Sequence, residues 1–285
     1  MKYVILILFC SVSSYAVERP FLLFSTQDIP ALKQKVKSGV PGQTYKALLK
    51  HCDGLLKANK LRPSHEIDVR CDMITSLGIA YYLSGDKRYR DKFIELVKLA
   101  RNSKADIVKM KYTVSLIFDM GYDFLPPAEK KYIKNLVVKQ AKYYKNIKPP
   151  YWARCSNWGP IVFMRGVRSA LALKGEPEYD PGTPERAAKE LRLLFSNWID
   201  DSGMPTEHGA YLDYGFIING AMTCYILQRM GFDLVKGTNL PKLPYWIMLA
   251  SSPLQPMRWN ALGDSNLQPP SPYVMRLLLD LLPNN

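Results

Sequence analysis

IDVRCDMITSLGIAYYLSGDKRYRDKFIELVKLA, residues 67–100, decides the fold class. Ile67, Cys71, Ile74, Gly78 and Tyr81 recur at helical spacing and share one face. Tyr89, Phe93, Leu96, Val97 and Ala100 do the same on the next helix. Between them Ser84-Gly85-Asp86 ends one helix with a glycine and opens the other with an acidic cap. Two amphipathic helices joined by so short a turn pack as an antiparallel hairpin.

The same periodicity predicts helices over about 27–38, 43–58, 106–122, 127–146, 158–174, 184–198, 212–230 and 272–282. Thr183-Pro184-Glu185 reads as a start signal, with threonine as cap and proline in the first turn. No stretch alternates long enough for a sheet, so the chain is expected to be all-α. About ten antiparallel helices fit either a solenoid or a closed ring of hairpins, an (α/α) toroid. No fixed sequence period is visible, which favours the toroid. Its long loops, Lys145 to Asn157, Ile199 to Ala210 and Ser251 to Pro272, are then expected at one mouth.

Residues 1–16 read as a signal peptide: Lys2, an apolar run from Val4 to Cys10, and the small-x-small sequence Ser14-Tyr15-Ala16. The run is too short to span a bilayer, and no later segment reaches eighteen consecutive apolar residues, so no stable membrane insertion is expected. Phe9 before Cys10 argues against a lipoprotein signal. A periplasmic or secreted protein is expected, with residues 17–285 as one domain. An apolar fraction of 47% suits a large core and excludes disorder.

A net charge of +14 and a pI of 9.4 favour acidic partners. Export argues against nucleic acid, and no compact basic run occurs. The charge is spread over helix faces such as Lys130, Lys131, Lys134, Lys139 and Lys142, a pattern also expected of a merely solvated face. Cys52, Cys71, Cys155 and Cys224 remain after processing; they fit two disulfides or buried free thiols equally well. No zinc-ligand spacing occurs among them and His51, His65 and His208, so neither a metal nor a cofactor is expected.

Chemistry concentrates in Asp201 to Gly215, DSGMPTEHGAYLDYG, where Glu207, His208, Tyr211 and Tyr214 follow a turn marked by Gly203 and Pro205. Carboxylate, imidazole and phenols within eight residues suit proton transfer. The apolar run from Phe216 to Met230 follows, so the cluster stands where a loop meets a buried helix.

The chain resembles the N-terminal toroid of heparinase II/III-like polysaccharide lyases. The residues that carry the resemblance are Arg19-Pro20-Phe21-Leu22-Leu23-Phe24, Asp28-Ile29-Pro30-Ala31-Leu32, Ala80-Tyr81-Tyr82-Leu83-Ser84-Gly85-Asp86, Asn157-Trp158, the 201–215 segment and Leu262-Gly263-Asp264-Ser265, in that order. The resemblance implies β-elimination on a uronic-acid-containing polysaccharide: a base takes the C5 proton and the glycosidic bond at C4 breaks. A proton beside a carboxylate is too weakly acidic unless the developing charge is stabilised. Asn157 matches the family's asparagine in that role, with Arg154 or His208 as helpers. Tyr211 or Tyr214 is implied as base, acid or both, and His208 could take the proton from the opposite face.

Structural readings stand beside these. Asn157 could cap the helix near Trp158, one tyrosine could be core, and Trp152 and Trp158 could pack under a loop instead of stacking on sugar. Asp264 could only close a turn. Arg154, Arg165 and Arg168 would favour a sulfated substrate, although Arg165 and Arg168 are readable as outward-facing. Family members continue into a β-sandwich, whereas this sequence stops at Asn285, so an incomplete toroid without that domain is expected. Two other functions fit: a toroid glycoside hydrolase using a pair among Asp201, Glu207, Asp213 and Asp264, or a non-catalytic glycan-binding protein.

Overall fold

The computed structural model describes residues 17–57, 67–102, 113–146, 158–205 and 218–243. Over these the chain forms helices α1 (Ile29–Lys35), α2 (Gly39–Lys57), α3 (Ile67–Ser84), α4 (Lys87–Asn102), α5 (Val114–Gly121), α6 (Pro127–Asn146), α7 (Trp158–Ala172), α8 (Thr183–Trp198) and α9 (Ile218–Arg229), with short 3-10 turns at Thr26–Asp28 and Leu240–Lys242. The single pairing of extended backbone among the described residues is the bridge between Ile199 and Pro205. The all-α expectation holds over these residues. The segment 272–282 lies outside them, as do the first parts of the helices expected over 106–122 and 212–230.

The hairpin read from residues 67–100 is present. Gly85 takes a positive φ of 78°, and Asp86 Oδ1 accepts the Arg88 N–H at 2.9 Å. On the α3 face Ile74 and Gly78 are buried and Tyr81 is half-buried, the side chains of Ile67 and Cys71 lying outside the described residues; Tyr89, Phe93, Leu96, Val97 and Ala100 of α4 are all buried, as the periodicity requires. At α8 the start differs from the expectation. Thr183 is the first helical residue and fully buried, and Gly182 holds the cap position without a side-chain cap bond. Instead, Asp180 Oδ1 accepts the Gly182 N–H at 3.0 Å, so an aspartate turn leads the chain in.

The helices form two rows. α1, α3, α5, α7 and α9 touch in succession, α2, α4 and α6 do likewise, and consecutive helices such as α3 and α4, α5 and α6, and α6 and α7 pack across between the rows. α6 and α7 are antiparallel: Gly166 faces Tyr144, and three residues further on Ser169 Oγ donates to Gln140 Oε1 at 2.9 Å. The closest approach is at Gly166, where an added Cβ would lie 2.8 Å from Tyr144 Cβ and 2.9 Å from its backbone N. Gly166→Ala is expected to force the two helices apart and to lower stability by about 1–3 kcal/mol, measured as a fall in the denaturant midpoint. An unchanged midpoint would show that α6 slides without cost.

An N-terminal strap, residues 19–28, crosses the C-terminal ends of α3, α5, α7 and α9 and leads into α1. Phe24 packs edge-on against Tyr82 at the end of α3, with ring centroids 5.5 Å apart. The backbone N–H groups of Phe21 and Leu22 donate to Asp119 Oδ2, near the end of α5, at 3.0 and 2.9 Å. Arg19 donates to Asp119 Oδ1 and to the carbonyls of Ala172 and Lys174, where α7 ends. Asp28 pairs with Arg229, the last residue of α9, at 2.7 Å. Asp119 is 1% exposed, and burial pushes its carboxyl up to about 6 against the pull of the two amides and Arg19. Helices α3, α5, α7 and α9 thus all end at the strap, and α7 and α9 begin at the opposite end.

Buried thiols appear at Cys52 and Cys224, neither in a disulfide. Burial raises both, Cys52 to about 11, so these two behave as core residues rather than nucleophiles. The side chains of Cys71 and Cys155 lie outside the described residues. Among the described residues no helix is long and apolar enough to cross a membrane.

Candidate functional site

The site must be located from the elements that bracket it. Trp158 opens α7. Arg154, Asn157, Glu207, His208, Tyr211, Tyr214 and Asp264 lie outside the described residues, as does the side chain of Trp158. Asn157 immediately precedes α7, and Tyr214 stands four positions before Ile218, where the described part of α9 begins.

Those two helix starts are at the same end of the array. The C-terminal ends of α7 and α9 meet at a cleft lined by Phe21, Lys174, Arg229, Met230 and Phe232, and the two helices also pack against each other, so both run toward the strap. The polar network between them agrees. Arg168 Nη1 donates to the Asn219 carbonyl at 2.9 Å and to Thr223 Oγ1 at 3.1 Å, and its Nη2 donates to Asn219 Oδ1 at 2.8 Å. Because a helical side chain leans toward the N-terminus, the guanidinium of Arg168 sits about one turn back along α7, beside the first turns of α9.

The far end of α8 arrives there too. From the strap end, residues 230–243 climb alongside α8: Phe232 lines the cleft with Pro184, the Asp233 carbonyl accepts from Arg192, and Asn239 Nδ2 donates to the Ile199 carbonyl at 2.9 Å. The turn that begins the chemical segment is tightly built. Asp200 Oδ1 accepts from the N–H groups of Ser202 and Met204 at 2.9 Å each, and Gly203 has a φ of 89°. A Cβ at Gly203 would lie 2.4 Å from the Lys242 carbonyl oxygen, so both the backbone angle and the close approach require glycine. The Gly/Pro-marked turn read from the sequence therefore anchors the start of the His208 and Tyr211 segment against residues 239–242.

Asp201 lies on this turn with its side chain 98% exposed, Oδ1 accepting from Asn239 at 3.3 Å and Lys242 at 3.5 Å. Among the four carboxylates considered for a hydrolase, it is the one with a described position. Glu207, Asp213 and Asp264 lie outside the described residues. No group of three or more His, Cys, Asp or Glu side chains among the described residues is placed to hold a metal ion.

The outward reading of Arg165 and Arg168 is corrected. Arg165 is 4% exposed and Arg168 1%, one turn apart on the inner side of α7. Burial, and then the neighbouring charge of Arg165, bring Arg168 down to about 9. The signal was in the sequence: Ile161, Phe163, Met164, Val167, Ala170 and Leu171 surround α7 with apolar residues, and a helix apolar all round is buried all round, arginines included. Asn219 and Thr223, 1% and 0% exposed, were missed for the same reason. Two cations are thus fixed inside the helix that Asn157 precedes.

No protein-family model matches this chain, and comparison with curated proteins gives no match.

Proposed function

We propose that this protein is an exported lyase that cleaves a uronic-acid-containing polysaccharide by β-elimination. The observation that carries the reading is the shared direction of α7 and α9. It puts the first described residues of α7 and α9, which Asn157 and the His208 to Tyr214 segment precede in sequence, at one end of the array, opposite the strap. In this reading the two rows curve into an incomplete (α/α) toroid, and that end is its mouth.

The roles follow from the chemistry. The C5–H electron pair becomes the C4–C5 double bond, the base keeps the proton, and the C4 oxygen leaves with a proton from the acid. Asn157, helped by Arg154 or His208, neutralises the uronate carboxylate as charge develops on it. Tyr211 or Tyr214 moves the protons, and His208 serves as base for the epimer with its proton on the other face. Trp158 stacks on a sugar ring, while Glu207 and Asp264 hold hydroxyls. The positive end of α7 and the buried charges of Arg165 and Arg168 favour the anionic intermediate at that position.

The test is ultraviolet absorbance of an unsaturated uronate while mature protein is incubated with alginate, heparan sulfate and chondroitin-like chains at low salt. A rise with one substrate is the expected result. A flat trace from folded protein that still binds one of the glycans would replace the lyase reading by a hydrolase or a binding protein, and a reducing-end assay then separates those two.

A further inference from the structure

Helix α6 carries three exposed lysines on one side with no acid among them. On its inner side Ile133, Leu136, Val137 and Ala141 are buried. On its outer side Lys131, Lys139 and Lys142 are exposed. At about 100° per residue these three fall within an arc of roughly 80°, and at 1.5 Å per residue they span about 16 Å. The acid of this helix, Glu129, is buried and bound to Arg101 at 2.9 Å, and Lys134 is held by Glu176 and Glu178 at 2.7 and 2.9 Å. On α4, by contrast, Arg88, Arg90 and Lys92 pair with Asp86, Asp91 and Glu95. Among the described residues Lys131, Lys139 and Lys142 form no ion pair.

Direction makes the stripe useful. Because α6 and α7 are antiparallel, the stripe runs away from the strap and points toward the start of α7, with its Lys142 end level with the C-terminal half of α7. We propose that Lys131, Lys139 and Lys142 form a docking rail for an acidic polysaccharide, holding chain units beyond those at the mouth and aiming the polymer toward the start of α7. The partner is identified by charge complementarity: an extended polyanion matches a stripe of exposed cations about 16 Å long. The identity of that polymer as substrate rests on the lyase reading. The rail itself does not.

The triple variant K131Q/K139Q/K142Q tests it. All three residues are exposed, so circular dichroism should show the fold retained. Affinity electrophoresis through gels containing alginate or heparan sulfate should show binding about tenfold weaker at low salt, the difference vanishing as salt rises. With polymer as substrate KM should rise by a similar factor while kcat stays, and a short oligosaccharide that fills only the mouth should show no change. Unaltered polymer binding at every ionic strength would overturn the rail and leave the lyase reading intact. Weakened binding by the variant of a wild-type protein that forms no unsaturated product would keep the rail and remove the elimination. Wild-type protein that binds vesicles containing phosphatidylglycerol through these lysines, and no polysaccharide, would overturn the choice of partner.

Discussion

Asp119→Ala is expected to lower the unfolding free energy by about 3–5 kcal/mol, because it leaves a buried guanidinium without its counter-charge. Arg19 and Asp119 are each 1% exposed in their side chains and meet at 3.3 Å. Asp119 Oδ2 also accepts the Phe21 and Leu22 N–H groups, which would lose their partner together with the ion pair. Burial lowers Arg19 and raises Asp119, which means that both charges resist the site and tolerate it only as a pair. The double variant Arg19→Met with Asp119→Leu should therefore recover part of the loss of the single one, although it adds to the changes made. Denaturant midpoints of Arg19→Met, Asp119→Leu and the double variant form the cycle. Additive losses would show that the pair is not coupled and that the strap is held by its apolar residues Leu22 and Phe24.

Under the proposed elimination, Asn157→Ala is expected to reduce the rate of unsaturated-product formation by roughly a hundred- to thousandfold, the usual cost of losing one preorganised donor to a developing oxyanion. The loss should fall on kcat and kcat/KM together, since the charge that Asn157 meets is largest in the transition state. If Asn157 only caps α7, the variant should instead lose about 1 kcal/mol of stability and keep its kcat. Comparing Tyr211→Phe with Tyr214→Phe under the same conditions assigns the proton transfer: the catalytic phenol gives the larger loss, and a core tyrosine lowers the melting temperature at retained kcat.

Sequence and structure agree where one element decides its own form. The α4 face from Tyr89 to Ala100 and the Gly85 turn are local matters of period and of a glycine at positive φ. Agreement fails where a second element decides. Thr183 looks like a cap, yet the chain enters α8 through the Asp180 turn and Thr183 is buried. Arg165 and Arg168 look like surface arginines, yet α7 is packed by α5, α6, α8 and α9, so no outer side remains for them. The Asp201 to Gly215 segment was legible as polar and Gly-marked, but not the anchoring of Gly203 against the Lys242 carbonyl, 39 positions away.

By itself the sequence determined the helical class, the hairpin turns, the excess of positive charge and the residue types available for proton transfer, because each depends on neighbours within a few positions. Only the tertiary structure decided that α3, α5, α7 and α9 end at a common strap, that two arginines are enclosed between helices, and that the described starts of α7 and α9 lie at the same end. Those outcomes depend on contacts such as Arg19 with Asp119 and Arg168 with Asn219, 100 and 51 positions apart. No periodicity encodes such pairs. They are settled when burial of the apolar faces brings the rows together and each enclosed polar group must find a partner.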